Sequence, residues 1–412
     1  MTYPIVALGD VAETALGKML DKAKTKGHGH VPYLRNVNVQ WGRIDTDDLL
    51  TMELADDERE RFAVREGDLL VCEGGDIGRC AIWHGRADYL AYQKALHRIR
   101  PGDQLDRLYL RHLLEHHSLS GELTKLATGT TIAHLPQQQL RRVPVPLPPL
   151  DEQRRIVDLL EDHLSRLEAA QNYLSASRRR LDALEQSALD AHFGGPDIPL
   201  SNLIEDIAAG KSFGGASAPA RDDEWGIIKV SAMTWGEFDP TENKGVASAE
   251  RVDPRFEIRE GDLLVSRANT SEYVGASVLV RHVQPKLLLS DKSLRVTPRP
   301  EVESEWLWRA LQAPSARRQI SALASGTKDS MRNISQAALK TVMLPNASSD
   351  EQVAALKSFN EVADAIVLLR REVETGTQRT EALRRSLLAS AFSGRLTGRE
   401  SQDERWESVL GV

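Results

Sequence analysis

The stretch that decides the fold is Arg65-Glu66-Gly67-Asp68-Leu69-Leu70-Val71, because the same seven residues recur in the same order at residues 259–265, 194 positions later. A large internal repeat indicates a duplicated architectural unit. Three further pairs keep the same order at similar separations: Trp41-Gly42 with Trp235-Gly236, Thr128-Gly129-Thr130 with Ser325-Gly326-Thr327, and Asp151-Glu152-Gln153 with Asp350-Glu351-Gln352. The ordered set predicts two copies of one unit that differ by short loop insertions.

Each copy begins with a region that reads as a mixture of strands and helices. Short apolar runs, such as residues 69–71 and 277–280, are separated by clusters of Gly, Asp and Asn, which is typical of strands joined by turns. Helical patterns interrupt these runs at residues 106–126 and 304–323. The sequence therefore predicts an α+β domain in each half.

Each copy ends with a segment that predicts one long helix. Residues 151–190 follow a proline-rich lead and contain no Gly or Pro. A seven-residue apolar stride indicates a helix that buries a narrow seam against a second helix. The seam positions are Leu160, Leu167, Leu174 and Leu181 in the first copy and Phe359, Ile366, Val373 and Leu387 in the second, with Leu164, Ala170, Leu184, Val362, Leu369 and Leu383 between them. The two helices are predicted to pair with each other.

These patterns divide the chain into five parts. The first domain covers residues 1–150 and the first long helix residues 151–192. The second domain covers residues 193–349, the second long helix residues 350–394, and a tail residues 395–412.

Composition limits the class of protein. Of the 412 residues, 41% are hydrophobic and 27% are charged, which is ordinary for a globular protein. No apolar run reaches the length of a membrane span and no secretory leader is visible, so we expect a cytoplasmic protein. Cys72 and Cys80 are too few for a disulfide framework or a four-ligand zinc site.

The common catalytic motifs are missing from this sequence. Gly210-Lys211-Ser212 resembles the end of a phosphate-binding loop, but Glu205 stands where that motif needs a glycine. His112 and His116 have helical spacing without the rest of a zinc motif, and we expect them to be a solvated pair. The sequence therefore predicts no catalytic residue, no metal site and no cofactor of its own in this chain.

The remaining polar chemistry suits DNA. The net charge is −7, but residues 309–340 contain six basic residues and one acid. Loops after the repeated strand carry Arg and Asn, which read base edges, and the Thr/Ser-Gly-Thr segments offer hydroxyls and N–H groups for phosphates. The candidate DNA-binding residues are Arg35, Asn36, Gly75, Arg79, Gln93, Lys94, Thr128, Gly129, Thr130, Lys229, Arg267, Asn269, Lys292, Gly326, Thr327, Lys328 and Arg332.

The proline lead and the segment that follows it carry a family resemblance. Residues 147–156 run Leu-Pro-Pro-Leu-Asp-Glu-Gln-Arg-Arg-Ile, follow the Ala-Thr-Gly-Thr-Thr of residues 127–131, and have counterparts 199 positions later. This combination resembles the specificity subunit of type I restriction-modification systems over nearly the whole chain. The second copy departs from the pattern at residues 344–349, where the double proline is absent. The resemblance implies two target-recognition domains and two long helices that form an antiparallel coiled coil, with the halves related by a pseudo-twofold axis.

The resemblance also implies a function. Each recognition domain would read one half of an asymmetric bipartite DNA target, and the coiled coil would set the spacer. The implied partners are double-stranded DNA, two methyltransferase subunits that carry S-adenosylmethionine, and restriction subunits that use ATP and Mg, with no membrane partner. Two alternatives stay open on the sequence: a coiled-coil scaffold whose heads bind proteins, and a nuclease or methyltransferase in its own right.

Overall fold

A computed structural model describes residues 3–20, 29–85, 89–129, 133–213, 218–221, 223–246, 252–328 and 331–397. They fall into two compact units: unit 1 consists of Met1–Leu174 with Thr375–Val412, and unit 2 of Ser175–Glu374. Both divisions lie inside long helices, so each unit contains one copy of the repeated domain and half of each helix. We call the part of unit 1 before residue 150 the first head, and the part of unit 2 between residues 193 and 349 the second head.

The first head and the helix after it are built from short elements. In chain order they are β1 (Ile5–Ala7), α1 (Leu8–Val11), β2 (Ala12–Leu16), β3 (His30–Leu34), β4 (Val39–Gln40), β5 (Arg43–Ile44), β6 (Leu50–Glu53), α2 (Asp56–Phe62), β7 (Leu69–Cys72), β8 (Cys80–Ile82), β9 (Ala91–Tyr92), β10 (Leu96–Pro101), α3 (Arg107–Leu119), α4 (Glu122–Leu126), α5 (Gln137–Leu140), β11 (Pro144–Pro146) and α6 (Leu150–Phe193).

The second head repeats this plan. Its elements are β12 (Ile198–Pro199), β13 (Ile204–Ala209), β14 (Gly226–Ile228), β15 (Asn243–Gly245), β16 (Leu263–Ser266), β17 (Ala268–Asn269), β18 (Ser277–Leu279), β19 (Leu287–Leu288), β20 (Ser293–Pro298), α7 (Ser304–Gln312), α8 (Pro314–Leu323), β21 (Ser325–Lys328), β22 (Met331–Asn333), α9 (Gln336–Lys340) and β23 (Met343–Leu344), followed by α10 (Ser349–Phe392).

The two heads share one sheet topology. The central antiparallel sheet has the order β2-β10-β7-β8 in the first head and β13-β20-β16-β18 in the second. A smaller sheet, β6-β3-β9 or β15-β14-β19, contains one parallel pair in each head. Helix α3 packs on β8 and helix α7 on β18, which covers the apolar face of each central sheet. The predicted duplication of an α+β domain is therefore present in three dimensions.

The long helices begin and end at clear signals. Helices α6 and α10 are 44 residues each, and both have two acidic residues in the first turn, where carboxylates offset the helix dipole. At the start of α10, Glu351 accepts hydrogen bonds from the main-chain N–H (2.8 Å) and the hydroxyl (2.7 Å) of Ser348, the residue before the helix. In the described part of the chain, no helix is long and apolar enough to cross a membrane.

The long helices pair antiparallel within each unit. In unit 1, Leu160 of α6 shares a buried cluster with Leu388 of α10, whereas Leu174, further along α6, lies over Gly376, which comes earlier in α10. A Cβ on Gly376 would be 3.0 Å from Leu174, so the helices approach closely there.

In unit 2 the same direction holds. The Phe193 and Phe359 rings lie 5.2 Å apart, while Arg370 bonds Asp182 at 2.8 Å and Glu185 at 2.7 Å. In these contacting pairs, the residue number in α6 decreases as the residue number in α10 increases, so the helices are antiparallel. The predicted pairing of the two helices is confirmed within both units.

The heptad positions differ in burial. Leu160, Leu181, Phe359, Ile366 and Leu387 are buried, and Leu167, Leu174 and Val373 are half-buried.

Two positions predicted between the heptad positions are not in a seam. Leu184 and Leu369 are 46% and 48% exposed, so the prediction for them is wrong. A helix turns once every 3.6 residues, so a seven-residue stride drifts around a straight helix and carries such positions toward solvent.

The repeated Arg-Glu-Gly-Asp motif has a structural role in both heads. Gly67 and Gly261 have φ of +88° and +89°, a conformation that favours glycine. Asp68 accepts the main-chain N–H of Arg65 at 2.7 Å, and Asp262 accepts that of Arg259 at 2.9 Å. The motif therefore forms the turn that directly precedes the buried strands β7 and β16.

The repeated Asp-Glu-Gln motif ties each head to its helix. Buried Gln153 accepts the N–H of Asp106 at 2.8 Å and donates to the carbonyl oxygen of Pro148 at 2.8 Å. Buried Gln352 accepts the N–H of Glu303 at 2.8 Å and donates to the carbonyl oxygen of Ala347 at 2.9 Å. Each glutamine joins the start of a head helix to the start of a long helix.

Candidate nucleic-acid interface

In the second head, two distant loops form one small sheet. Strand β17, directly after the buried strand β16, pairs antiparallel with β22, and β22 pairs with β21. The N–H of Ile334 donates to the carbonyl oxygen of Arg267 at 2.9 Å and closes the arrangement. We call this surface, Arg267–Thr270 with β21 and β22, the second hairpin edge.

The first head brings together the corresponding loops. Gly74 forms a bridge to His134, which forms a second bridge to Thr128 with two main-chain hydrogen bonds of 2.8 Å. The N–H of Leu135 donates to the carbonyl oxygen of Glu73 at 2.7 Å, as that of Ile334 does in the second head. We call Glu73–Gly75 with Thr128 and His134 the first hairpin edge.

The turns that contain the predicted lysines also reach these edges. The N–H of Glu73 donates at 2.9 Å to the carbonyl oxygen of the residue after Lys94, in the turn that includes Gln93. In the second head, the N–H of Arg267 donates at 2.8 Å to the carbonyl oxygen of Lys292. Lys94 and Lys292 are both exposed. The structure thus brings segments from three parts of each head to one place.

The polar side chains beside the first hairpin edge are mostly hydrogen-bonded or ion-paired within the head. Arg79 donates to the carbonyl oxygen of Asn36 at 3.1 Å, and Asn36 donates to that of Gly74 at 2.9 Å. Arg35 is paired with Asp48 at 2.6 Å. These three predicted residues therefore support the loop with groups that are already bonded.

The polar side chains of the second edge are freer. Arg332 donates to the carbonyl oxygens of Ala324 at 2.7 Å and Gly326 at 3.2 Å, whereas the Arg267 guanidinium has no hydrogen-bond or ion-pair partner among the described residues. The Asn269 amide nitrogen and the Thr270 hydroxyl are buried and have no partner in that part of the chain either. Buried donors normally have partners, so these two are exceptions at the second hairpin edge.

The glycines of the two edges have backbones that a bound molecule can approach. Gly75, Gly129 and Gly326 are exposed with φ of +77°, +101° and +141°. Exposed N–H groups in such turns suit phosphate oxygens.

The remaining predicted residues fall in three groups. Lys229 lies 3.7 Å from Glu242, and no hydrogen bond or ion pair among the described residues joins its side chain to the second hairpin edge. Thr130 lies outside the described residues. Thr327 and Lys328 are described only as main chain, in β21.

Sequence reasoning missed His134 and Thr270. His134 supplies the central bridge of the first edge, and Thr270 supplies an unpartnered hydroxyl to the second. Neither position belongs to the repeat, and strand register across a turn is set by the folded hairpin, so no sequence signal marked His134. Thr270 directly follows the predicted Asn269 in the loop after the repeated strand, but it was not among the predicted residues.

Neither the cysteines nor the histidines form a reactive centre in the described residues. Burial raises the pKa of the Cys72 thiol to about 11 and raises that of Cys80 further, so both stay protonated. No group of three or more His, Cys, Asp or Glu in this part of the chain could hold a metal ion. The prediction that His112 is solvated is wrong, because the ring is buried and bonded to Glu161 at 2.6 Å.

The fold and the hairpin edges define a class of protein with two similar binding heads on paired long helices. A family model described as the type I restriction modification DNA specificity domain matches residues 2–174. Residues 2–174 are therefore similar to the DNA specificity domain of type I restriction-modification systems.

Curated relatives point the same way. The chain is 28% identical over 172 residues to the EcoEI specificity subunit of Escherichia coli, a match that covers 40% of this chain and 29% of that relative. It is 22% identical over 397 residues to the EcoKI specificity subunit of E. coli strain K12, covering 89% of this chain and 83% of that relative.

Solved structures show the same fold over nearly the whole chain. A chain from a study of complex assembly and conformational transition in the type I restriction-modification system has a TM-score of 0.74 at 20% identity, covering 96% of this chain and 98% of that one. The HsdS subunit from Thermoanaerobacter tengcongensis has a TM-score of 0.52 at 19% identity, covering 96% and 97%. The predicted resemblance and the predicted fold class are confirmed.

Proposed function

We propose that this chain is the non-catalytic DNA-specificity subunit of a type I restriction-modification complex. The observation that carries the proposal is the pair of hairpin edges, which gather Arg, Asn, Thr and turn glycines at the same place in both heads. Arg267 and Asn269 have donors suited to guanine and adenine edges, and the glycine turns suit phosphates.

The target would be bipartite and asymmetric. The first edge presents Gly75, Thr128 and His134, whereas the second presents Arg267 and Asn269 in another backbone setting. Two different surfaces read two different sequences. Helices α6 and α10 contribute to both units and would set the spacer between the half-sites.

The catalytic parts would belong to partners. We propose two methyltransferase subunits carrying S-adenosylmethionine, and restriction subunits using ATP and Mg, with the assembly in the cytoplasm. The long helices of unit 2 carry four exposed apolar side chains, Leu184, Val367, Leu368 and Leu369, and are a candidate docking surface for a methyltransferase subunit.

Methylome sequencing tests the proposal. A host without other adenine methylation would express this chain with its methyltransferase, and separately each protein alone. We expect methylation at one asymmetric bipartite motif in the co-expressing strain and none in the other two. Methylation at the same motif without this chain would overturn the proposal.

Salt dependence tests the alternative of protein-binding heads. The purified complex should bind duplex DNA with an affinity that falls linearly on a log–log plot against salt, because phosphate contacts release counterions. Binding that is absent at low salt would favour a scaffold whose heads bind proteins.

A further inference from the structure

Trp235 is an unusually exposed aromatic side chain in the second head. It is 74% exposed, and its ring meets the Tyr273 ring edge to face at a centroid distance of 5.8 Å. Tryptophan carries a large apolar surface and is mostly buried in folded proteins. An exposed tryptophan on a polar head therefore needs a reason.

The pair lies beside the second hairpin edge. The N–H of Ser266 donates to the carbonyl oxygen of Ala276 at 2.8 Å, and the N–H of Gly275 donates to that of Ser266 at 2.7 Å. Between these bonds the chain leaves the central sheet as one short loop, residues 267–274, which holds both Asn269 and Tyr273. The aromatic pair thus continues the surface that carries the unpartnered donors.

The loop is held from below by Arg317. Its guanidinium donates to the carbonyl oxygens of Glu272 at 3.2 Å and Val274 at 2.8 Å. Burial lowers the pKa of the half-buried Arg317, and its bonds to two carbonyl oxygens fix the backbone around Tyr273. The ring pair is therefore presented on a supported loop.

The first head uses the corresponding tryptophan differently. The indole N–H of Trp41 donates to the Asp76 carboxylate at 2.9 Å, and the ring packs against the core of unit 1. In the second head the only acid of loop 267–274 is Glu272, and within the described residues it forms no hydrogen bond with Trp235. Without a carboxylate to hold it, Trp235 stays exposed.

We propose that Trp235 and Tyr273 make an apolar contact with the bases of the second half-site, so that the second head reads at least one position by shape and apolar contact as well as by hydrogen bonds. This inference rests on the proposed function. Apolar side chains distinguish the thymine methyl group, and aromatic rings also wedge into flexible base steps. Trp41, held by Asp76, makes no such contact at the first half-site.

The test uses the complex of the whole chain with its methyltransferase subunits. Its duplex library keeps the first half-site fixed and randomises the second. Trp235→Ala should weaken binding to the preferred second half-site at least about fivefold and relax preference at one or two adjacent positions. Trp235→Phe should keep most of both, and Trp235→Gln should behave like the alanine variant.

A matched control is Tyr173→Ala, because Tyr173 is 67% exposed but lies on α6. It should leave half-site preference unchanged. If Trp235→Ala and Trp235→Gln bind and discriminate like the wild type, the inference fails while the proposed function stands. Loss of methyltransferase subunits from the variant complex would also overturn it, since the contact would then be to protein. Absence of specific binding by the wild type would sink the proposed function itself.

Discussion

The two head–helix joints differ in chemistry although the heads share one topology. In unit 1, the joint is polar: His112 bonds Glu161 at 2.6 Å, Arg111 bonds Glu161 at 3.0 Å, and Arg384 bonds buried Glu115 at 2.7 Å. Residues from α3, α6 and α10 therefore form one charged network.

In unit 2, the joint is aromatic. The Arg309 guanidinium lies 4.0 Å from the Trp308 ring centroid and 5.0 Å from that of Phe359, which packs against Phe193. Burial lowers the pKa of Arg309, and no carboxylate in the described part of the chain forms an ion pair with it. The duplicated glutamine anchors persist in both joints while the packing around them has diverged, so a joint needs its backbone anchors more than any one side-chain chemistry.

The largest effect is expected from removing the aromatic centre of the unit 2 joint. Phe359→Ala should lower the free energy of unfolding of unit 2 by about 3–5 kcal/mol, because a buried ring leaves a cavity. Hydrogen exchange resolved by unit would measure it. Leu184→Ala, at an exposed position of the same unit, is the control and should change little. Equal loss of protection in both units would contradict two separate joints.

The next effect is expected from the buried ion pair of the unit 1 joint. Glu115→Ala should destabilise unit 1 by about 1–3 kcal/mol, because Arg384 loses its partner. In a double-mutant cycle, adding Arg384→Ala should cost less than it does alone. Glu122→Ala, which removes an exposed pair with Lys125, should have no measurable effect. Strict additivity of the first two changes would show that the pair is not coupled.

The two hairpin edges also differ: Arg79 beside the first edge is already hydrogen-bonded, whereas the Arg267 side chain at the second is not. Arginine variants in the two heads should therefore have different effects. Arg267→Ala should cost about 1–3 kcal/mol of binding at the second half-site and relax its sequence. Arg79→Ala should mainly cost about 1 kcal/mol of unit 1 stability, because Arg79 already bonds Asn36.

A randomised library for each half-site, read at several salt concentrations, would measure both arginine variants. Lys328→Ala is the phosphate control and should lower the salt slope by about one without changing base preference. If Arg267→Ala altered the first half-site instead, the assignment of heads to half-sites would be wrong.

The smallest effect on stability per residue is expected from lowering the pH, which acts through the buried histidines. Burial lowers the pKa of His97, His112, His116 and His117, all in unit 1. These rings stay neutral when folded, so the unfolded chain binds more protons below its histidine pKa of about 6.5. The buried histidines therefore do not reduce the free energy of unfolding above that pH, but they reduce it increasingly as the pH falls below it.

We therefore expect unit 1 to lose protection from hydrogen exchange between pH 7.5 and 5.5 more than unit 2 does. His112→Gln should reduce the difference. An equal response in both units would argue against the buried histidines as its source.

The fold class could be predicted because its signals lie in the order of residues along the chain. The repeat of the Arg-Glu-Gly-Asp motif and the apolar stride around Leu160 and Phe359 can be read without knowing any partner. The burial of His112 could not be read in this way, since its helix face becomes buried only where α3 meets α6. The seam prediction for Leu184 was wrong because an apolar residue is buried only if a second surface covers it, and Leu184 is exposed.

The sequence by itself determined that the chain is a duplication, where the long helices begin and end, and which loops carry groups suited to DNA. Turns, caps and helical periods depend on neighbours along the chain, so residue order is sufficient for them. Only the tertiary structure decided that Asn269 keeps a free donor while Asn36 does not, and that Trp41 is held while Trp235 is exposed. Those outcomes depend on which distant groups compete for each hydrogen bond, and that competition exists only after the chain has folded.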